Sequence, residues 1–101
     1  MSISTNVSDD GNKLVIIMDD KFDYVKAQDF RAAYDGLPET VHHVEINLAA
    51  TDYMDSSALG MLLNMQKSLS HRNLTYSISH CRMQVARVLK IARFDKKFDI
   101  S

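Results

Sequence analysis

The chain has 101 residues, 46% of them apolar and 25% charged, with a net charge of −1 and a single cysteine. That length gives one domain with one buried core, and the composition excludes a disordered chain. The near-neutral charge argues against general nucleic-acid binding, and no apolar run approaches the roughly 18–20 residues that span a bilayer. Cys81 has no second cysteine to pair with, and the first residues carry neither a basic start nor an apolar stretch, so a reducing cytoplasmic setting is expected.

In chain order, Ile3–Val7 reads as a weak strand and Lys13–Met18 as a strong one, joined by a hairpin turn at Gly11-Asn12. Tyr24–Tyr34 reads as a helix, with Val25, Phe30 and Ala33 on its inner side and Asp23 as its N-cap. Asp35-Gly36 and Pro38 stop it. Val41–Leu48 alternates Val44, Ile46 and Leu48 with His43, Glu45 and Asn47, the pattern of a strand. Ala49–Met54 reads as a connecting loop.

Ser56–Arg72 is the strongest helix, with Leu59, Leu62, Leu63, Gln66 and Leu69 at three- and four-residue spacing and a basic end at His71-Arg72-Asn73. Leu74–Ser79 returns as a strand, Arg82–Ala92 as a third helix with Val85, Val88, Leu89 and Ala92 inward, and Phe94–Ile100 as a short last strand. Strands separated by helices imply parallel pairing through right-handed crossovers. The expected fold class is therefore α/β: a small mixed sheet, an opening hairpin followed by βαβαβαβ order, with helices packed against it. The loops that follow the strands then meet at one end of the sheet, where contacts with ligands and partners gather.

Charge is distributed unevenly. Residues 1–40 carry eight acids and four bases, whereas residues 81–101 carry six bases and two acids. Without interleaved aromatics or a groove-reading motif, the basic end reads as a solvated helix face. The three glycines, at positions 11, 36 and 60, fit neither a nucleophile elbow nor a phosphate-binding loop. The histidines His42, His43, His71 and His80 have no metal-ligand spacing, so no metal and no cofactor is expected. Cys81 reads as a small buried residue.

The unusual segment is Thr51-Asp52-Tyr53-Met54-Asp55-Ser56-Ser57-Ala58-Leu59-Gly60, which joins a strand to the strongest helix. Its plain structural reading is that Asp55 or Ser56 caps the helix while the other polar groups satisfy unpaired N–H donors. A hydroxyl at a helix start is also well placed for phosphorylation, because the free N–H groups and the helix dipole favour an anion by about 0.3–1 kcal/mol. A doubly charged phosphate about 6 Å from a carboxylate is opposed by roughly 3 kcal/mol at an effective dielectric of about 40. A phosphoserine here, with Asp52 and Asp55 close by, should leave the fold intact and alter a docking surface sharply.

The run Asp55-Ser56-Ser57-Ala58-Leu59-Gly60 resembles the D-S-S-x-L-G motif of STAS domains, specifically the bacterial anti-sigma factor antagonists. Asp20-Lys21-Phe22-Asp23 stands where that family has a G-x-[LF]-D turn, and Ser79–Phe98 resembles its closing helix and strand. Ala58 replaces a common glycine and Asp20 replaces the glycine of the first turn.

The resemblance implies a non-enzymatic partner switch. The unphosphorylated protein would bind a serine kinase or anti-sigma factor of the histidine-kinase-like ATPase class. Phosphorylation at Ser56, with Ser57 as the fallback, would release it, and a PP2C-type serine phosphatase would reverse the change. Asp23, Asp55, Ser57 and Ala58 would contribute to docking. The alternative is a non-catalytic STAS subunit of a larger assembly such as a lipid-transport ATPase complex. Neither nucleic acid nor membrane contact is expected, and a monomer is.

Overall fold

The computed structural model describes residues 3–101. Five strands form the main sheet in the order β1 (Ser4–Val7), β2 (Lys13–Ile17), β4 (His43–Asn47), β6 (Thr75–Ser79), β7 (Asp99–Ile100). β1 and β2 form the antiparallel hairpin, and every other neighbour in this sheet pairs in parallel. The hairpin turn needs Gly11, whose φ is +75° and whose missing Cβ would sit 3.2 Å from Thr40 Oγ1. Two further strands of two residues each, β3 (Lys21–Phe22) and β5 (Tyr53–Met54), pair in parallel as a separate small sheet.

Helix α1 (Ala27–Tyr34) links β2 to β4, α2 (Ser56–Ser68) links β4 to β6, and α3 (Met83–Ile91) links β6 to β7. The parallel strands follow one another across the sheet in chain order, so successive right-handed crossovers put all three helices on the same face. The side-chain pattern agrees. Leu14, Ile16, Val44, Ile46 and Ile78 point to the helix side and are buried. The alternate rows Lys13–His43–Thr75, Val15–Glu45–Ser77 and Ile17–Asn47–Ser79 form the opposite face, which is polar and at most half-buried.

The core between sheet and helices is closed by Phe30 and Tyr34 from α1, Ala58, Leu62 and Met65 from α2, and Val85 and Leu89 from α3. Phe22 joins it from β3, its ring centroid 5.2 Å from that of Phe30, which in turn lies 5.7 Å from Tyr34.

Several expectations need correction. Ala49–Met54 is not wholly a loop, since Tyr53–Met54 is β5. The first turn of the Tyr24–Tyr34 helix is a 3₁₀ turn, Tyr24–Lys26, which turns Val25 outward to 67% exposure. The strong helix ends at Ser68. A 3₁₀ turn, Ser70–Arg72, follows it and closes on Asn73 in the left-handed region, and Leu63 lies 39% exposed rather than inward. Of the inner positions expected in α3, Val88 is half-buried and Ala92, just past the helix end, is exposed. Phe94–Ile100 is mainly a 3₁₀ turn over Phe94–Lys96, because Phe94 and Phe98 must both turn inward, leaving only Asp99–Ile100 as strand. Cys81 is half-buried, and burial raises its thiol pKa.

Candidate functional site

Because β2, β4 and β6 run in parallel, the segments that follow them emerge at the same end of the sheet. The segment after β4 is held on both sides there. Thr51, fully buried, donates its hydroxyl to the Asp19 carbonyl at 2.6 Å. The Asp20 carbonyl accepts from the amides of Asp52 (3.0 Å) and Tyr53 (3.3 Å). From the other side Arg82 Nε donates to the Ala49 carbonyl at 3.1 Å. Lys26 closes the first segment on itself: its ammonium donates to the Lys21 carbonyl at 2.6 Å and lies 2.9 Å from the half-buried Asp19 carboxylate.

The β3–β5 register pairs Lys21 with Tyr53 and Phe22 with Met54. Phe22 and Met54 are both buried, so each anchors its segment in the core. One residue further, each chain reaches an aspartate in extended conformation that caps the next helical turn. Asp23 accepts from the Val25 amide at 3.2 Å, and Asp55 starts α2. The sequence reading placed Asp23 and Asp55 on one docking surface; the parallel register brings their backbones side by side.

The choice between Asp55 and Ser56 as cap falls to Asp55. Its Oδ1 accepts from the amides of Ser57 (3.1 Å) and Ala58 (3.4 Å) and from the Ser57 hydroxyl (2.5 Å). The Ser57 hydroxyl, followed by these amides, holds the Asp55 carboxyl below its ordinary pKa against the opposing effect of burial. Asp55 is thus ionised at neutral pH, and the hydroxyl of Ser57 is engaged. Ser56 occupies the first helical position, exposed, and among the described residues its hydroxyl has no hydrogen-bond partner.

Ala58, expected at the docking surface, is buried with no exposed area and faces the core. A side chain there seats α2 on the sheet and cannot touch a partner. The small residue that faces outward is Gly60, which lines an open groove of about 280 Å³ between α1 and α2 together with Ala27, Arg31, Ser57, Met61 and Asn64. Around the two caps stand three exposed apolar side chains: Tyr24 at 73% and Tyr53 at 48% exposure, which periodicity did not single out, and Val25 at 67%, which it placed inward. Their signal in the sequence is indirect. Tyr24 and Val25 follow the Asp23 cap in a 3₁₀ turn, and Tyr53 is the outward residue of β5, so none has a core to enter. The arrangement offers an exposed nucleophilic hydroxyl beside two aspartate caps, ringed by apolar contacts and bordered by a shallow groove. No group of three or more potential metal ligands occurs among the described residues.

Residues 3–101 match the family model described as the STAS domain. A STAS-domain containing protein of Pseudomonas aeruginosa is 37% identical over 101 residues, covering all of both chains. The anti-sigma factor antagonist SpoIIAA in its unphosphorylated form superimposes with a TM-score of 0.79 at 17% identity, over 99% of this chain and 88% of that one. The phosphorylated form of SpoIIAA, from Bacillus, gives 0.71 at 15% identity, over 99% of this chain and 91% of that one. A sulfate transporter family protein of Wolinella succinogenes gives 0.75 at 15% identity, over 90% of this chain and 73% of that one.

Proposed function

This chain belongs to the STAS-domain family, and from that premise we propose that it is a partner-switching protein of the anti-sigma factor antagonist kind, regulated by phosphorylation at Ser56. The observation that carries the reading is the division of labour among three adjacent residues. Asp55 caps α2, Ser57 is bound to that cap, and Ser56 is left exposed with a free hydroxyl. The same division favours Ser56 over Ser57 as the acceptor. SpoIIAA, which shares the fold, has been solved both with and without phosphate.

In the unphosphorylated form, Tyr24, Val25 and Tyr53 supply apolar contact area. Asp23, Asp55 and the groove beside Ser57 and Gly60 define the surface on which a serine kinase or anti-sigma partner sits. The chain is the substrate in this scheme, not an enzyme: the partner's active site consumes ATP. The Ser56 hydroxyl oxygen attacks the γ-phosphorus, the bond from that phosphorus to the bridging oxygen of ADP breaks, and the hydroxyl proton passes to the partner's base. The new phosphate sits at a helix N-terminus, which tolerates it, and beside aspartates, which repel it. The fold survives while the docking surface gains charge, and the partner leaves. A PP2C-type phosphatase restores the hydroxyl. Binding of the unphosphorylated form releases the partner's other client, either a sigma factor or the client of a non-transcriptional pathway that uses the same switch.

A second reading, a non-catalytic subunit of a larger assembly, draws on the likeness to a sulfate transporter family protein. Phosphosite mapping by mass spectrometry on protein isolated from its native cells separates the two. Phosphate on Ser56, absent from a Ser56→Ala control, is the expected result; no phosphate across several growth conditions favours the subunit. With the captured kinase partner, Ser56→Asp is expected to weaken binding at least about tenfold while far-UV circular dichroism and Tm stay at wild-type values. Unchanged affinity would overturn the electrostatic account.

A further inference from the structure

The two most exposed large apolar side chains among the described residues lie on neither the docking loops nor the α1–α2 groove. They are Ile91 at 78% and Met83 at 75% exposure, both on α3. With Arg87 and Lys90 they fall at relative positions 0, 4, 7 and 8, one continuous stripe along the helix. Val85 and Leu89, on the opposite side, are buried against the sheet.

The stripe is basic as well as apolar. The two ion pairs among the described residues are Lys13–Glu45 and Lys26–Asp19, so neither Arg87 nor Lys90 is neutralised by one, and Arg93 at the helix end is exposed and likewise unpaired. A charged stripe alone would be a solvated face. Two large apolar side chains at its ends, held out by the same helix that buries Val85 and Leu89, lose contact with water only if something covers them.

We propose that α3 carries a second docking surface, for an acidic protein segment bearing two apolar side chains about 12 Å apart, the separation that eight residues of helix impose. Cation against carboxylate supplies the charge match, and Met83 and Ile91 supply the anchors. The surface is separate from the switch. The helices lie in a row on one face, with α1 over the β2 side and α3 over the β7 edge, so α2 stands between the Ser57–Gly60 groove and this stripe. α3 meets the segment leading to Ser56 through Arg82, just before the helix, and through its packing against β5, whereas Met83, Arg87, Lys90 and Ile91 stay exposed. A bilayer suits the stripe less well. The continuous apolar side of α3 is already in the core, and Arg87 separates the two apolar ends. The proposal does not depend on phosphorylation of Ser56.

The test is a titration of the ¹⁵N-labelled full-length chain, followed by amide chemical shifts. The probe is a synthetic glutamate-rich helical peptide carrying two leucines eight residues apart. Controls are the same peptide with serines for leucines, and vesicles of mixed phosphatidylglycerol and phosphatidylcholine. Shifts confined to residues 82–93 are expected, with affinity falling at least tenfold in Arg87→Glu/Lys90→Glu, at least threefold in Met83→Ser/Ile91→Ser, and with added salt. Both pairs are surface substitutions, and circular dichroism verifies that the fold is retained. Equal binding of the leucine-free peptide would reduce the stripe to a solvated cationic face and overturn the proposal. So would shifts centred on residues 19–26 and 51–60, or binding to vesicles without binding to the peptide.

Discussion

At the scale of single residues, Asp55, Ser56 and Ser57 have nearly the same intrinsic chemistry as helix-start residues, yet one hydrogen-bond network gives them different tasks. Asp55 holds the amides of Ser57 and Ala58, so Asp55→Ala is expected to lower Tm by roughly 4–8 °C, the loss of one cap in a domain of this size. Ser56 holds nothing, so Ser56→Ala is expected to melt within about 2 °C of wild type. Thermal melts of both variants check the pair, and the reverse ranking would make Ser56 the cap. The sequence narrowed the cap to these two residues and could go no further, because aspartate and serine are almost equally good caps. The extended backbone at Asp55 decides it, with φ −119° and ψ −176°. Ala58 misled for a related reason. A motif says which residues are adjacent along the chain, not which way each faces on a helix, and position 58 turns into the core.

At the scale of elements, the site depends on two short strands and one buried threonine. Thr51 ties the segment that carries Ser56 to the segment that carries Asp23, through the Asp19 carbonyl. Thr51→Val keeps the shape and removes the donor, leaving a carbonyl without its partner. A loss of about 1–3 kcal/mol is expected in urea unfolding, together with faster amide exchange at Asp52 and Tyr53. Wild-type stability would mean that the β3–β5 pairing holds the segments without it. The long elements were legible: β2, β4, β6 and α2 have enough residues for a two- or four-residue rhythm to show. β3 and β5 were not, since two residues carry no rhythm, and what makes them strands is each other, about thirty positions apart in the chain. The 3₁₀ turn at Tyr24–Lys26 was hidden in the same way, because Asp23 caps either kind of helix and only the missing fourth residue per turn sends Val25 outward.

At the scale of the whole molecule, one sheet face is covered by helices and the other is an open polar surface with its own network. His43 spans two hydroxyls, Nδ1 lying 2.6 Å from Thr75 and Nε2 2.8 Å from Ser77. Glu45 accepts from Lys13 at 2.9 Å and from Ser79 at 2.6 Å. Burial, then repulsion from Lys13, lowers the His43 pKa, with Glu45 and Asp99 opposing. The Ser79 hydroxyl first, then Lys13, lowers that of Glu45. In both cases the unfolded chain takes up the proton more readily, so stability is complete above the unfolded value and lost as pH falls through the lowered folded one. For His43 that loss begins near its ordinary 6.5, and for Glu45 near 4.5, so acid should weaken the fold in two steps. His43→Gln is expected to flatten the upper step in urea midpoints measured from about pH 7.5 to 5.5. An unchanged slope there would assign the step to another group. The general architecture was legible because chain order and parallel pairing leave few choices. The unequal fates of the two faces follow from it, although no single residue announces them.

The order of strands across the sheet has a consequence for how the chain comes together. From β2 onward each main-sheet strand joins the edge left by the main-sheet strand before it, and none is inserted between two that already pair. The sheet can therefore grow in the direction in which the polypeptide is synthesised, each new parallel strand closing a loop of about twenty to thirty residues over a helix. By the time Ser79 is in place, four of the five main-sheet strands have their neighbours and β5 has β3, whereas Arg82, α3 and β7, which close the other side of the Ser56 segment, come last.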